Sequence, residues 1–312
     1  MKDTLFYHIV RLVRPRQWLK NVVLFAALFF AGKIFDLGEL FRATEGFIIF
    51  IVIASGVYVL NDIFDAPRDF LHPIKNNRPI PSGKVSLSLA WILSTTFLFV
   101  GLALAFRVNL FFFLAVLTYV IMQVFYTMYL KNVIILDALI VAFGFVLRVF
   151  AGAFVVGITI SSWLVLATVG LALLLAFGKR RSERTLIIAT IGESNIKTRP
   201  ILNRYPESLL DSMISTSASF TIVTYSLFVF LVSPVKTTSK LISELLPQTL
   251  ASPKWMMLTI PIVIYGVARY LYVIYEKKEG ESPERVLLGD KPMLATVILW
   301  GFVTFVIYYI IT

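Results

Sequence analysis

The chain has 312 residues, of which 58% are hydrophobic and only 15% charged, and its mean hydropathy is +0.85. Soluble domains carry roughly 25% charged residues, so a water-soluble fold is excluded. The absence of cysteine excludes disulfides, thiol nucleophiles and thiolate metal sites, and in so apolar a chain the net charge of +11 bears on membrane orientation, not on nucleic-acid binding.

The stretch from Met1 to Asn21 lacks an apolar core followed by a small-residue cleavage site, so no cleaved signal peptide is expected. Leu5, Phe6, Ile9, Leu12 and Val13 fall at helical spacing between Arg11, Arg14 and Arg16, the pattern of a short helix lying in the cytoplasmic interface. Nine apolar runs follow, close to the roughly 20 residues that cross a hydrocarbon core. They are Trp18–Gly32, Glu45–Phe64, Leu87–Phe106, Leu110–Leu130, Ile134–Val156, Ser161–Gly178, Met213–Ser233, Trp255–Tyr275 and Met293–Ile311. The expected fold is therefore an all-α membrane protein, one bundle of about nine transmembrane helices forming a single polytopic domain over residues 1–312. Polar connections are expected at Asp65–Ser86, Lys179–Ser212 and Glu276–Pro292, with no repeat of fixed period.

Basic residues orient these spans. The N-terminus to Lys20, the three long connections and Lys131 together hold 21 Lys and Arg, against six on the opposite side, and Arg148 and Arg269 fall inside spans. The positive-inside rule places the N-terminus and the long connections in the cytoplasm and the C-terminus outside, in a multi-pass protein of the plasma membrane.

Chemistry concentrates at the cytoplasmic end of the second span, in Asn61-Asp62-Ile63-Phe64-Asp65-Ala66-Pro67-Arg68-Asp69. On a helix Asp62, Asp65 and Asp69 share one face; Pro67 biases Ala66 away from helical geometry and is expected to leave Asp69 on the loop beyond. Three carboxylates so close repel, and a divalent cation relieves them. Oxygen-only ligands suit Mg²⁺, which takes one or two carboxylates together with substrate phosphates. The plainer account is a helix end paired with Arg68, Lys75 and Arg78.

The loop continues His72-Pro73-Ile74-Lys75-Asn76-Asn77-Arg78-Pro79-Ile80-Pro81-Ser82-Gly83. Its prolines and glycine make a rigid turn that holds Lys75 and Arg78 beside the carboxylates. His72, alone, reads as structural.

Asn61-Asp62-x-x-Asp65-x-x-x-Asp69 followed by Asn77-Arg78-Pro79-x-Pro81-Ser82-Gly83 resembles the first signature of the UbiA superfamily of intramembrane prenyltransferases. The resemblance implies nine transmembrane helices and Mg²⁺-diphosphate bound by that acidic motif in a pocket open to the bilayer. Aromatic prenyltransferases of the superfamily carry a second motif, DxxxD, after the sixth span; this chain has Gly178-Lys179-Arg180-Arg181-Ser182-Glu183-Arg184 there. With Arg14-Pro15-Arg16-Gln17-Trp18-Leu19-Lys20-Asn21 and Tyr126-x-x-x-x-Lys131, the chain is similar to the phosphoribosyltransferase branch, which joins a polyprenyl phosphate such as decaprenyl phosphate to 5-phosphoribosyl 1-diphosphate on the way to cell-wall arabinan.

Two phosphates beyond the diphosphate call for Lys and Arg, although basic residues also collect at any cytoplasmic helix end. Arg148 lies within the apolar run Ala138–Val156, with Asp137 at its cytoplasmic edge, and an intramembrane charge is a functional candidate by default. Lys20 is placed to reach a lipid phosphate or to snorkel.

The expectation is an Mg²⁺-dependent phosphoribosyl transfer to a polyprenyl phosphate. Asp62, Asp65 and Asp69 are the catalytic and metal-ligating candidates. Lys20, Asn61, Arg68, Lys75, Arg78, Tyr126, Lys131, Arg148, Lys179, Arg180, Arg181 and Glu183 are the substrate-binding candidates. The alternatives are prenyl transfer to an aromatic or small acceptor and a polyprenyl-phosphate carrier; oligomeric state stays open.

Overall fold

A computed structural model describes residues 4–71, 75–191, 204–232, 254–277 and 283–311. His72, Ser233 and the middle of the connection expected at Lys179–Ser212 lie outside these residues. Among the described residues every regular element is helical, and eight helices are long and apolar enough to cross a membrane.

The first compact unit comprises residues 1–159 with 191–205. It opens with α1, Leu5–Val13, whose Leu12 is buried while Leu5 and Phe6 are exposed. Trp18–Gly32, expected as the first span, is wound as a 3₁₀ segment, Pro15–Phe25, running into a short α2, Ala26–Phe30. Pro15 supplies no N–H and starts the winding.

Helix α3, Leu37–Phe70, is capped by Asp36, whose Oδ1 accepts from the N–H groups of Gly38 and Glu39 at 3.0 and 3.2 Å. It does not end where Pro67 forecasts. The helix runs through Pro67 to Phe70, so Asp69 is helical and not on the loop. Proline removes one backbone donor within a turn of the helix end, and Asp69 is fastened there by Arg78 at 2.6 Å.

Helices α4, Leu87–Val108, and α5, Leu110–Met128, are capped by Ser86 and Asn109. A 3₁₀ turn, Leu130–Asn132, leads to α6, Leu136–Val156, which ends at Gly157 with φ +68°, the left-handed geometry glycine adopts freely. Phe50, Phe112, Tyr119, Leu24 and Leu28 are fully or almost fully buried in one core. Close approach is obligatory at Gly152, where an added Cβ would stand 2.0 Å from the carbonyl oxygen of Leu24.

The second unit comprises residues 160–190 with 206–312. It contains α7, Ser162–Ile191; α8, Glu207–Val232; α9, Ile260–Tyr272; α10, Pro283–Gly289; and α11, Lys291–Val306. Helix α7 continues thirteen residues beyond the Gly178 end forecast by hydropathy. Intrahelical hydrogen bonds do not require lipid, and the i,i+3 pair Arg180–Glu183 at 3.0 Å supports the extension, so Lys179–Arg184 lie on a helix and not in a connection. Tyr225 ties three elements, meeting Thr259 Oγ1 at 2.6 Å and accepting from Trp300 Nε1 at 2.7 Å. Arg269, inside an apolar helix, donates from Nε and Nη2 to the two carboxylate oxygens of Asp290 at 3.0 and 2.9 Å.

Candidate active site

The last three turns of α3 present Asn61, Asp62, Asp65 and Asp69, and each carboxylate meets a cation brought from elsewhere in the first unit. Arg14, in the left-handed residue that joins α1 to the 3₁₀ segment, ion-pairs through Nη2 with Asp62 Oδ1. Arg78 donates from one nitrogen, Nη1, to Asp62 Oδ1 at 3.0 Å and Asp69 Oδ2 at 2.6 Å. Lys131 donates from Nζ to Asp65 Oδ1 at 2.5 Å. The neighbouring amide completes the row: Asn61 Nδ2 donates to Asp65 Oδ2 at 3.0 Å, and Asn61 Oδ1 accepts from Thr127 Oγ1 at 3.3 Å.

The turn that carries Arg78 is stiff, as its composition forecasts. Arg78 N–H bonds the Lys75 carbonyl at 2.9 Å, Val85 N–H bonds the Pro79 carbonyl at 3.0 Å, and Gly83 takes φ +72°. Arg11 of α1 donates to the Asn77 carbonyl at 3.3 Å, holding α1 against this turn.

Asp62 and Asp69 are buried, and a buried carboxylate needs either a cation or a full set of donors. Here side-chain cations meet that need. Their donor chemistry also fits a divalent ion: the acceptors are all oxygen, Asp62 and Asp69 are near enough to share one guanidinium nitrogen, and Asp62 Oδ2 and Asp69 Oδ1 lie outside these pairs. Mg²⁺ needs only one or two carboxylates when substrate phosphates fill its shell. Among the described residues no three acidic or histidine side chains gather closely enough to hold a metal unaided.

The remaining candidates fall in three places. Arg68 is exposed, its Nη1 3.5 Å from Asn132 Oδ1, and Lys20, Lys75 and Tyr126 are half-buried in the same unit. Arg148 is buried deep in α6, apart from the carboxylates. Its Nε donates to Asn21 Oδ1 at 2.8 Å, Nη1 to the Gly144 carbonyl at 3.0 Å and Nη2 to Tyr119 at 2.7 Å, and its guanidinium lies 4.7 Å from the Tyr119 ring centre. These partners are all uncharged.

Lys179, Arg180, Arg181 and Glu183 belong to α7 in the second unit. Arg180 and Glu183 pair with each other in a buried setting. Arg181 donates to Asp211 Oδ1 at 2.6 Å and stacks on the Tyr275 ring at 4.1 Å, while Arg184 meets Glu207 at 3.3 Å.

Arg14 and Thr127 touch the acidic row yet stand outside the candidates drawn from sequence. For Arg14 a signal existed, its place in an Arg-Pro-Arg run beside the first span; for Thr127 none did.

The UbiA prenyltransferase family matches residues 21–288. The decaprenyl-phosphate phosphoribosyltransferase of Corynebacterium glutamicum is 28% identical, over 96% of this chain and 86% of that protein. That of Mycolicibacterium smegmatis is 28% identical, over 96% and 92%. Among solved structures, a UbiA homolog from Archaeoglobus fulgidus bound to GPP and Mg²⁺ superposes with a TM-score of 0.67 at 20% identity, covering 96% of this chain and 99% of that one.

Proposed function

This chain belongs to the UbiA prenyltransferase family of integral membrane proteins, and on that premise we propose that it transfers a 5-phosphoribosyl group from phosphoribosyl diphosphate to a polyprenyl phosphate. The observation that carries the reading is the charge-balanced row in which Asp62, Asp65 and Asp69 stand among Arg14, Arg78 and Lys131. Such a row is built to exchange partners. When a multiply charged phosphate arrives, the guanidinium and ammonium groups turn to phosphate oxygens and the carboxylates are released. The donor class is supported by similarity along nearly the whole chain to two phosphoribosyltransferases. It is supported also by α7, whose only acid among residues 178–184, Glu183, is tied to Arg180, in place of a second carboxylate pair.

In the proposed reaction an oxygen of the lipid phosphate forms a bond to the anomeric carbon, and the bond from that carbon to the diphosphate oxygen breaks, the electron pair leaving with the diphosphate. A lipid phosphate is ionised at neutral pH, so no side chain has to remove a proton. Arg14, Arg78 and Lys131 orient the phosphates and offset the charge that grows on the leaving group. Asp62 and Asp69 would hold Mg²⁺ together with phosphate oxygens, with Asp65 beside them, and the ion would further neutralise that group. Asn61 stands in the row, Lys75 acts on Asp69 electrostatically, and Arg68 reaches the turn of Lys131. Lys20, Tyr126, Lys179, Arg180, Arg181, Glu183 and Arg148 remain candidates for further phosphate contacts.

The test is direct. Purified protein is incubated with radiolabelled phosphoribosyl diphosphate, polyprenyl phosphate and Mg²⁺, and label is sought in the organic phase. Label there supports the reading. No transfer from phosphoribosyl diphosphate, with transfer from a labelled prenyl diphosphate to an aromatic acceptor, replaces it with prenyl transfer.

A further inference from the structure

We propose that Tyr205 and Asp137 are positioning residues that act through a strained turn to hold Lys131 on Asp65. The inference rests on the acidic row being the transferase site.

The turn between α5 and α6 occupies residues 129–135 and contains no glycine. Its last residue, Ile135, has φ +68° and ψ −47°. The Leu136 N–H bonds the Ile134 carbonyl at 2.8 Å, which closes a three-residue γ-turn around Ile135. This hand of γ-turn is the rare and strained one, and a β-branched residue is the least suited to it. Local preference would send Ile135 to negative φ, so the conformation persists only where its surroundings over-determine it.

Tyr205 supplies that constraint from 70 residues away. Its hydroxyl accepts from the Ile135 N–H at 2.6 Å and donates to Asp137 Oδ1 at 2.6 Å. Tyr205 and Asp137 are both fully buried, so this relay is shielded from competition by water. One hydroxyl thereby fixes the strained residue and the first turn of α6 together. Four residues before Ile135 stands Lys131, whose amine lies 2.5 Å from Asp65, and Asn132 of the same turn lies 3.5 Å from Arg68. The turn is thus gripped at two ends, by Tyr205 at Ile135 and by α3 at Lys131. Release of the first end lets Ile135 relax, which rotates the segment and carries the amine off the carboxylate. Strain stored beside a candidate active site and constrained from a distant segment is the arrangement of a pre-organised side chain, since a turn serving only as a connector is made without strain by glycine at position 135.

The test uses the full-length protein in detergent and two readouts. The first needs no activity: the rate at which an amine-reactive reagent modifies Lys131, followed by mass spectrometry of the peptide that contains it. Tyr205→Phe should raise that rate several-fold. Adding Ile135→Gly should bring it back toward wild type, because glycine holds positive φ without the clamp. Asp137→Asn, which weakens the relay with less disturbance, should move the rate in the same direction. The second readout is kcat/KM with the phosphoribosyl donor. Tyr205→Phe should lose about tenfold, the size of one charge-assisted contact, and should cost nothing further in a Lys131→Met background. Unchanged Lys131 labelling in both Tyr205→Phe and Asp137→Asn overturns the clamp, as do additive losses in the double variant. If the wild type transfers no phosphoribosyl group, the reading of the reaction fails while the labelling arm still decides the clamp.

Discussion

Lys131 and Asp65, 66 residues apart in sequence, are joined by a 2.5 Å contact between Nζ and Oδ1 that ties the turn after α5 to the C-terminal end of α3. Both side chains are mostly buried, so the pair is shielded from salt more than a surface pair is. Replacing Lys131 by Met removes the charge and keeps most of the volume. Loss of a charge-assisted phosphate contact is worth about 1.5–3 kcal/mol, so kcat/KM should fall roughly ten- to 150-fold. Lys131→Arg should retain more activity than Lys131→Met, and equal losses in the two would argue that the charge itself does nothing there.

Asp62 is the most constrained acid of the row, since Oδ1 answers to both Arg14 and Arg78. Asp62→Asn keeps the shape and removes the charge that a metal requires. Activity should drop by orders of magnitude while the protein still inserts and purifies, and excess EDTA should do the same to the wild type. Turnover in EDTA equal to that in Mg²⁺ would remove the metal from the mechanism.

The docking of the first 3₁₀ segment on α6 gives a test of packing alone. Gly152→Ala drives a Cβ to within 2.0 Å of the Leu24 carbonyl oxygen, a backbone atom that has no rotamer to change. Overpacking of this kind typically costs about 1–3 kcal/mol, seen as a lower unfolding temperature in detergent. Gly301→Ala is the control, because nothing stands within 4 Å of its added Cβ. There the helix gains alanine's better propensity and stability should hold or rise.

Asp290 supplies a pH prediction outside the spanning segments. The hydrogen bond from Arg269, aided by Lys277 and by the Met293 N–H, holds its carboxyl well below the ordinary carboxylate range. A depressed native value means that the ionised form is favoured by folding. The associated stability is therefore complete above about pH 4, the unfolded value, and is lost as pH falls below it toward the native one. Melting temperatures measured from pH 6 downward should decline more steeply below pH 4 for wild type than for Asp290→Asn.

Orientation is checked by thiol labelling, which the cysteine-free sequence makes simple. Lys33 and Lys84 are both exposed and lie on opposite sides of the expected topology. Lys84→Cys should react only with reagent admitted to the cytoplasmic side, and Lys33→Cys only from outside. Labelling of Lys33→Cys from the cytoplasm would reverse the topology.

The all-helical membrane fold is legible in the sequence because apolar runs near 20 residues have few other uses, and the row at Asn61–Asp69 with Arg78 is legible because its members are near neighbours in the chain. The remainder depends on tertiary contact. The Arg-Pro-Arg run marks Arg14 and the resemblance marks Lys131, but nothing local announces that their partners are Asp62 and Asp65, 48 and 66 residues away. Ile135 gives no hint of positive φ, because the residue type opposes it and the Tyr205 hydroxyl that meets its N–H lies 70 residues away. Pro67 and the polar sequence after Gly178 mislead in one direction: proline is tolerated near a helix end, and α7 outlasts the apolar stretch that identifies it.

The neutral setting of Arg148 has a consequence for biogenesis. A lone arginine near the centre of a spanning helix costs about 2.5–3.5 kcal/mol on insertion scales, so α6 released into lipid by itself carries a penalty that its leucines and phenylalanines must offset. Its chief side-chain partner outside the adjacent helices is Asn21, synthesised 127 residues earlier and presented by a segment whose backbone abuts Gly152 one turn further along. Asn21 is therefore already synthesised when α6 leaves the ribosome, and a nascent chain carrying Asn21→Ala should linger at the insertion machinery as α6 emerges.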